Sequence, residues 1–298
     1  MIVFCGYANN DVTVQVPHVP VLGERVQATS IISIDGGMNA NAAVSAARMG
    51  ATVRFAGAVG SDVRSDEFLG NLERDGVDTS WAPRDAFLST AVVLIAEGGD
   101  RSIISQDDAN DAPRIAAVIR KIADAGGGRL FVDGYRAAFL PDGLPDGVSV
   151  AIDLDGCEDQ GAALRAFALA DHVIVGRSLW QRAFGIDDDR SADLAAEHDT
   201  HLVLTDGDRG WSLITPSGER TTEPAVKVDV IDAVGAGDCF CGTYIALVDG
   251  GRTPLDAARL AGASAAMACA TAGPRGCPTL TELLAFTAHS SLDLQEIP

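Results

Sequence analysis

The stretch "DVIDAVGAGDCFCG" (229–242) places an aspartate directly after three residues that carry almost no side chain. The small and apolar residues behind Asp238 predict a helix, so Gly235, Ala236 and Gly237 lie where a loop enters that helix. Free amides and the helix dipole favour an anion at such a position. A carboxylate beside them could serve as a general base for a hydroxyl that attacks a bound phosphate. The alternative is that Asp238 only stabilises the first turn of the helix.

Other glycine-containing segments could approach a ligand with their backbone. The segment "DGGMNANAAVSAARMGATVRFAGAVGSD" (35–62) combines a Gly-Gly turn, an alanine-rich helix, a strand and a second glycine-containing turn. Small residues permit close packing and close approach of the backbone to a ligand. Three shorter segments complete the set: "GYANND" (6–11), "TDGDRG" (205–210) and "GPRGCPT" (273–279). The short polar side chains of the first suit a ligand rich in hydroxyl groups, although Asn and Asp also form turns.

The order and spacing of these segments resemble the signature regions of the ribokinase-like, or PfkB, carbohydrate kinase family nearly from end to end. The resemblance implies an α/β fold of the ribokinase type, with a small β-sheet lid over the sugar site. It implies transfer of the γ-phosphoryl group of ATP to a hydroxyl of a sugar or a related small molecule. It also implies Mg²⁺ as a cofactor and leaves a monovalent cation open as a further one.

The resemblance also implies roles for individual residues. Asp238 occupies the position of the catalytic base, and the amides of residues 235–237 occupy the position of the anion hole. The nucleotide would lie near Thr205, Gly207 and Gly210. Substrate hydroxyls would meet five residues of the segments at 6–11 and 35–62: Asn9, Asp11, Gly36, Gly37 and Asn41.

Several positions depart from the family pattern. The loop before Asp238 reads Asp232-Ala233 where many relatives have Asp-Thr, and Met38 stands where ribokinase has a lysine, which disfavours ribose. The Asn-x-x-Glu motif that helps to organise magnesium-bound water is replaced by "GRSLWQ" (176–181). Metal positioning therefore stays open. Asp153 and Asp155 in "AIDLDG" are weak candidates for it, with a turn at a strand end as the alternative.

Arg136 in "FVDGYRAAFL" (131–140) is a candidate for substrate specificity. It follows a strand end, where the resemblance places the far side of the sugar. A guanidinium there could bind a carboxylate, sulfonate or phosphate on an acidic sugar. A looser resemblance to the sulfofructose kinases points the same way, but Glu24 stands where those enzymes would want a cation. The alternative is an ion pair between Arg136 and an acid of this very acidic protein.

The elements that must position these residues alternate along the chain. Short apolar runs predict parallel strands covered on both faces, at 2–6, 53–59, 129–134, 148–154, 172–176 and 201–207. Helical patterns lie near 39–49, 66–75, 112–125, 159–169 and 191–198, and residues 236–287 read as mostly helical after an extended stretch at 228–232. This alternation predicts a doubly wound, mostly parallel sheet.

Two β-rich regions, at about 12–35 and 89–106, interrupt this alternation, and the second has a hairpin turn at "EGGD" (97–100). We interpret them as a small sheet that projects from the main body as a lid. No proline- or serine-rich linker is present, so we expect one ribokinase-like domain over 1–298 with this lid inserted. Because a small sheet exposes an apolar face and free edges, we expect a homodimer through the lid.

Composition limits the kinds of partner and the cellular location that we expect for this protein. With 22 basic and 42 acidic residues, the formal charge of −20 argues against a nucleic-acid or anionic-membrane partner. The sequence has no run of about 18 apolar residues and no basic segment ahead of its first strand, so we expect neither a membrane span nor a signal peptide. Six scattered cysteines without a Cys-x-x-Cys pair indicate free thiols and a cytoplasmic location.

These observations favour an ATP-dependent kinase of a small sugar or sugar derivative. A nucleoside kinase of the same fold is the alternative within that class. A sugar-binding regulatory protein with impaired catalysis is the alternative from another class, because the Asn-x-x-Glu motif is missing.

Overall fold

The structure is a computed structural model, and it describes residues 1–98 and 100–288. Its larger sheet has eight strands in the order β12-β11-β10-β9-β8-β7-β1-β4. The neighbours from β10 to β4 are parallel, and β11 and β12 extend the sheet in antiparallel fashion at one edge. The strands are β1 (Ile2–Phe4), β4 (Val53–Phe55), β7 (Gly128–Asp133), β8 (Val148–Asp153), β9 (His172–Gly176), β10 (His201–Thr205), β11 (Trp211–Ile214) and β12 (Arg220–Glu223).

The smaller sheet has four strands in the order β3-β2-β5-β6. They are β2 (Asn9–Val16), β3 (Ser30–Gly36), β5 (Ser89–Ala96) and β6 (Arg101–Ser105). Strand β2 pairs with β3 in antiparallel and with β5 in parallel fashion, and β5 pairs with β6 in antiparallel fashion. A small sheet built from two separate segments is therefore confirmed, and it begins three residues earlier than predicted.

The helices are α1 (Met38–Arg48), α2 (Val63–Arg74), α3 (Ala112–Asp124), α4 (Gln160–Leu169), α5 (Arg177–Phe184), α6 (Asp188–Glu197), α7 (Ala236–Asp249), α8 (Pro254–Cys269) and α9 (Leu280–Ala288). All five predicted internal helices are present, but α5, β11 and β12 were not predicted. Residues 228–232, predicted to be extended, contain no strand. The strands predicted at 2–6, 53–59 and 201–207 end earlier, because glycines lead each chain segment into a loop at the sheet edge.

Two apolar layers cover the larger sheet, one on each face. Along β1, the side chains of Ile2 and Phe4 enter one layer, and Val3 enters the other, as the two-residue period of a strand requires. Helices α1, α2, α7 and α8 supply the first layer, and α3, α4 and α6 supply the second. This arrangement is the predicted doubly wound, mostly parallel α/β fold. None of the helices in the described part of the chain is both long enough and apolar enough to cross a bilayer.

Candidate active site

Most of the predicted site residues lie along the edge at which the parallel strands of the larger sheet end. Asp153 is the last residue of β8 and Thr205 of β10. Asp133, which was not predicted, ends β7 at the same edge. Four strand-to-strand steps separate β1 from β10, which corresponds to about 19 Å at the usual strand spacing. The edge is therefore long enough for an extended ligand that reaches from the lid to the "TDGDRG" turn.

Three helices begin at this edge without a side-chain cap. Their N-cap residues are Gly37 for α1, Gly176 for α5 and Gly235 for α7. At the starts of five other helices, a side-chain oxygen accepts a first-turn amide; these caps are Asp62, Asp111, Asp159, Asp187 and Thr253. In α1, the Asn39 amide already donates to the Tyr7 carbonyl oxygen at 3.2 Å. The other first-turn amides of an uncapped helix are open to a ligand, and the helix dipole favours an anionic one.

At the start of α7, the backbone amides near the predicted anion hole differ in whether they already have a hydrogen-bond acceptor. The Ala236 amide donates to the carbonyl oxygen of Ala233 at 3.3 Å. The amides of Gly237 and Asp238 lie in the first turn, where an α-helix offers no internal acceptor. The amides of 237 and 238 are therefore better suited to a phosphate than the amide of Ala236.

The two glycines of this turn differ in their surroundings. Gly235 has a φ of +77°, and a Cβ there would overlap the carbonyl oxygen of Pro274, so this position requires glycine. At Gly237 nothing lies within 4 Å of an added Cβ. Gly235 thus allows two loops to approach each other, whereas Gly237 leaves open space in front of the helix.

Close packing of α1 on α7 brings the segments 35–62 and 229–242 together. A Cβ at Gly242 of α7 would overlap the carbonyl oxygen of Ala42 in α1, so the two helices approach at a glycine. At the ends of the same helices, Asn41 Nδ2 donates to Asp238 Oδ2 at 2.8 Å. The small residues of α1 therefore allow a contact between two side chains that are 197 residues apart.

Asp238 is partly exposed, and its carboxyl lies among other acids. Loss of water raises the pKa of Asp238 to about 6, although the hydrogen bond from Asn41 lowers it. The negative charges of Asp133, Asp155 and Asp11 raise the pKa further. A carboxyl whose pKa lies near neutrality can both accept and hold a proton, as a general base must.

The predicted substrate residues of the lid lie beside this cluster. Asn9 Nδ2 donates to Asp11 Oδ1 at 2.7 Å, and a Cβ at Gly36 would overlap the ends of both side chains. Gly37 has a φ of +99°, and a Cβ there would lie 2.5 Å from the carbonyl oxygen of Tyr7. The buried Asn9 Oδ1 has no hydrogen-bond partner among the described residues. The lid thus presents a carboxylate and an amide oxygen toward the sheet edge.

Two further buried polar residues, Asp133 and Asn39, belong to the cluster but were not predicted from the sequence. Asp133 is fully buried, and its Oδ2 accepts the Tyr7 amide at 2.5 Å and Asn39 Nδ2 at 3.0 Å. Burial raises the pKa of Asp133 to about 6. An acid at the end of a buried strand, in "FVDG", was the available signal for it.

Arg136 lies in a buried group of ion pairs. Its guanidinium contacts Asp107 at 2.5 Å, Asp108 at 3.0 Å and Asp133 at 3.9 Å. Only 2% of the side chain is exposed. The charge of Arg136 is thus compensated by carboxylates of the same chain, as in the ion-pair alternative of the sequence analysis.

Asp153 and Asp155 lie midway along the edge. The buried Asp153 accepts the Asp155 amide at 3.0 Å and the Cys241 thiol at 3.3 Å. Oδ1 of Asp155 accepts the Gly176 amide at 2.9 Å, and no described hydrogen bond reaches its Oδ2. Burial raises the pKa of both carboxyls, and the charge of Asp155 raises that of Asp153 further. Within residues 1–98 and 100–288, no three His, Cys, Asp or Glu side chains form a metal-binding group.

The predicted nucleotide residues form the turn between β10 and β11. Thr205 ends β10, and Gly207 and Gly210 adopt φ values of +56° and +104°. The Asp206 amide donates to the Gly210 carbonyl oxygen at 2.8 Å, which closes the turn. From "GRSLWQ", Arg177 Nε approaches Asp206 Oδ2 at 3.3 Å. An arginine that holds this turn thus stands in the stretch where the family motif is missing.

Comparison with known proteins extends these observations. A model of the pfkB family of carbohydrate kinases matches residues 1–148 and 146–281. The chain is 25% identical over 291 residues to a ribokinase of Bacillus subtilis, covering 93% of this chain and 96% of that one. It is 29% identical over 252 residues to an aminoimidazole riboside kinase of Salmonella typhimurium, covering 72% and 73%. A structure of Arabidopsis thaliana ribokinase complexed with ribose and ATP shares the fold, with a TM-score of 0.82, 20% identity and coverage of 97% and 99%.

Proposed function

The chain belongs to the pfkB family of carbohydrate kinases and is an ATP-dependent kinase that acts on a hydroxyl of a sugar-like acceptor, and we propose that Asp238 is its general base. The carboxylate takes the proton of the attacking hydroxyl, and the amides at the start of α7 hold the phosphoryl group that is transferred. Two of the requirements of phosphoryl transfer, a base and oriented amides, are thus met by one helix start.

The hydrogen bond between Asn41 and Asp238 carries this proposal. It joins the alanine-rich helix behind the lid to the uncapped helix that begins with Gly-Ala-Gly. Asn9 and Asp11 lie on the lid side of that contact, and the charge of Asp11 acts on Asp238. We infer that Asn9, Asp11, Gly36, Gly37 and Asn41 hold the acceptor with one hydroxyl beside Asp238.

The acidic residues along the edge fit a magnesium ion that arrives with the nucleotide. Mg²⁺ usually keeps several waters and takes only one or two carboxylates together with phosphate oxygens. Asp155, with one carboxylate oxygen free of described hydrogen bonds, suits direct or water-mediated contact, and the buried Asp153 supports Asp155 through the backbone. When bound, the ion would neutralise phosphate oxygens that bear the developing charge.

We place the nucleotide along the same edge, with Thr205, Gly207 and Gly210 near its distal part. The span of about 19 Å from β1 to β10 suits a chain of acceptor, phosphates and nucleoside laid end to end. Whether a monovalent cation is required stays a prediction, which exchange of K⁺ for Na⁺ in the assay buffer tests.

The acceptor that this site favours is a neutral polyhydroxyl compound. Arg136 is the cation that could have bound an anionic group at the far side of the sugar, and three carboxylates already compensate it. An additional anion beside Asp107, Asp108 and Asp133 would meet net negative charge. A phosphate- or sulfonate-bearing acceptor is therefore disfavoured.

A nucleoside acceptor is the second candidate, and a cavity of about 450 Å³ favours it. The cavity lies beside Tyr7, next to the lid residues, and the rings of Tyr7 and Tyr135 lie 5.6 Å apart at its wall. Aromatic rings of this kind can stack on a heterocyclic base. A similar protein, the Salmonella typhimurium enzyme, carries the name of a riboside kinase.

An acceptor screen tests the proposed function. ATP consumption is measured with ketoses, aldoses, polyols, sugar acids, sugar phosphates and nucleosides, with the Asp238→Asn variant as the matched control. We expect turnover with a neutral acceptor and a fall in kcat of about 10²–10⁴-fold in the variant, which keeps the shape but not the base. A folded wild-type protein that turns over none of these acceptors supports the non-catalytic alternative. Near-normal kcat in Asp238→Asn contradicts the assigned base.

We also propose a homodimer that forms through the lid and acts in the cytoplasm. The lid exposes several isoleucines on both of its faces, which supports pairing with a second copy. All six cysteines are free, and five of them are buried, which supports a reducing compartment.

A further inference from the structure

Arg275, from the closing "GPRGCPT" segment, reaches the catalytic cluster from the far end of the chain. Its Nε donates to Asn41 Oδ1 at 3.1 Å, and the residues are 234 positions apart. Asn41 Nδ2 then donates to Asp238 Oδ2 at 2.8 Å. A continuous path of two hydrogen bonds therefore runs from a guanidinium through an amide to the carboxyl that we assign as the base.

The chemistry of the amide makes this path directional. A side-chain amide has one acceptor oxygen and one donor nitrogen, so its two ends are not equivalent. In the reversed orientation, the oxygen of Asn41 would face the carboxylate of Asp238 and its NH₂ group would face the guanidinium. Both contacts would then be repulsive, so Arg275 restrains Asn41 in the orientation that donates to Asp238.

The guanidinium of Arg275 has two contacts besides Asn41, although its buried Nη2 has no hydrogen-bond partner among the described residues. Its Nη1 approaches Asp35 Oδ2 at 3.6 Å, and its Cζ lies 5.5 Å above the ring of Phe68. The Arg275 carbonyl oxygen accepts Arg48 Nη1 at 2.9 Å. Only 14% of the Arg275 side chain is exposed. A side chain held in this way can impose its geometry on Asn41.

We propose that Arg275 is a positioning residue, which fixes the Asn41 amide so that it orients the carboxylate of Asp238 toward the acceptor hydroxyl. This inference rests on the proposed function, because it assigns Asp238 as the base. It adds a residue of the closing "GPRGCPT" segment to the machinery of phosphoryl transfer. Arg275 touches neither reacting group in this role and acts only through Asn41.

Arg64 provides a matched control for the charge of Arg275. Both guanidiniums form ion pairs with Asp35 and line the same cavity between the lid and the 272–275 loop. Arg64 bonds to Asn10 and Asp35, and no described hydrogen bond joins it to Asn41. Loss of Arg64 therefore removes a comparable charge and leaves the path to Asp238 intact.

The test is a double-mutant cycle with Arg275→Met and Asn41→Ala, measured as kcat and KM for the acceptor found in the screen. We expect Arg275→Met to lower kcat by about 10- to 100-fold, as misplacement of a catalytic group does, with a smaller change in KM for ATP. The same substitution in the Asn41→Ala background should have little further effect, because the path is already broken. Arg64→Met should leave kcat within about 3-fold of wild type.

A pH profile adds a readout that a purely structural role would not move. Asn41 lowers the pKa of Asp238, whereas burial and the charges of Asp11, Asp133 and Asp155 raise it. These acids stay in place in Arg275→Met, so the acid limb of kcat/KM should move to higher pH in this variant and stay in place in Arg64→Met. If Arg275→Met does not fold, Arg275→Lys takes its place in the cycle, with a smaller effect that again disappears in the Asn41→Ala background.

Independent, additive losses in the double variant would overturn the proposal, as would a folded Arg275→Met protein with wild-type kcat and an unmoved acid limb. The two proposals can fail separately. A silent Arg275→Met together with an inactive Asp238→Asn removes only the positioning role. An active Asp238→Asn removes the assigned base itself.

Discussion

The carboxyl of Asp238 shows how single residues set the chemistry of this site. Burial and three neighbouring acids make its charged form less favourable, and one amide hydrogen bond makes it more favourable. The result is a pKa of about 6 in place of the ordinary value near 4. A base with this pKa is mostly ionised at neutral pH and still takes up a proton readily.

The first prediction concerns the pH dependence of activity. Because Asp238 accepts a proton only when ionised, kcat/KM for the acceptor should fall as the pH drops through about 6 and level off above about 7. Rates are measured from pH 4.5 to 8.5 at saturating Mg²⁺. The control is Asp238→Asn, whose residual activity should lack this acid limb. An unchanged limb in Asp238→Asn would assign the titration to another group, such as Asp133.

At the scale of elements, the site depends on how helices begin. Five helices satisfy a first-turn amide with an aspartate or threonine side chain, whereas α1, α5 and α7 begin with glycine at the edge of the sheet. A side-chain cap typically contributes about 1 kcal/mol to stability, so its omission has a cost. The omission is consistent with amides that are reserved for a ligand.

The second prediction separates the two glycines at the start of α7. Gly235→Ala should lower the free energy of unfolding by about 1–3 kcal/mol, because the new Cβ overlaps Pro274 at a positive φ. Gly237→Leu should change that free energy by less than about 1 kcal/mol, since the added side chain enters open space. It should nevertheless lower kcat/KM for ATP at least about 10-fold by filling the anion hole. Chemical denaturation and initial-rate kinetics measure the two effects, and a fully active Gly237→Leu would contradict the anion hole.

At the scale of the whole molecule, the lid exposes apolar side chains on both of its faces. Residues paired across its strands point to the same side, so Ile31 and Ile104 share one face with Val12 and Val14. Ile32 and Ile103 share the other face with Asp11. These four isoleucines are between 48% and 67% exposed. Such a sheet exposes apolar area that a second lid can cover, next to the residues that we propose to bind the acceptor.

The third prediction is a dimer that depends on this sheet. Light scattering at micromolar concentration should give a mass twice the chain mass of 30.8 kDa. The double substitution Ile32→Lys, Ile103→Lys should give monomers and raise KM for the acceptor, because the lid loses its cover. Leu284→Lys is the control, since Leu284 is 38% exposed on α9, which packs against α8. A monomeric wild-type protein would contradict the proposed assembly.

The sequence by itself determined the order of elements and the local form of the site segments. Strand alternation, the helix that begins at Gly-Ala-Gly and the glycine turns depend on near neighbours, so periodicity and turn chemistry revealed them. Only the tertiary structure decided which side chains meet. Asn41 and Asp238 are 197 residues apart and Asn41 and Arg275 are 234 apart, so these contacts depend on helix packing and loop paths that no local pattern encodes. Arg136 is a further example. The sequence predicted that it follows a strand end, but only the folded chain shows its ion pairs with Asp107 and Asp108.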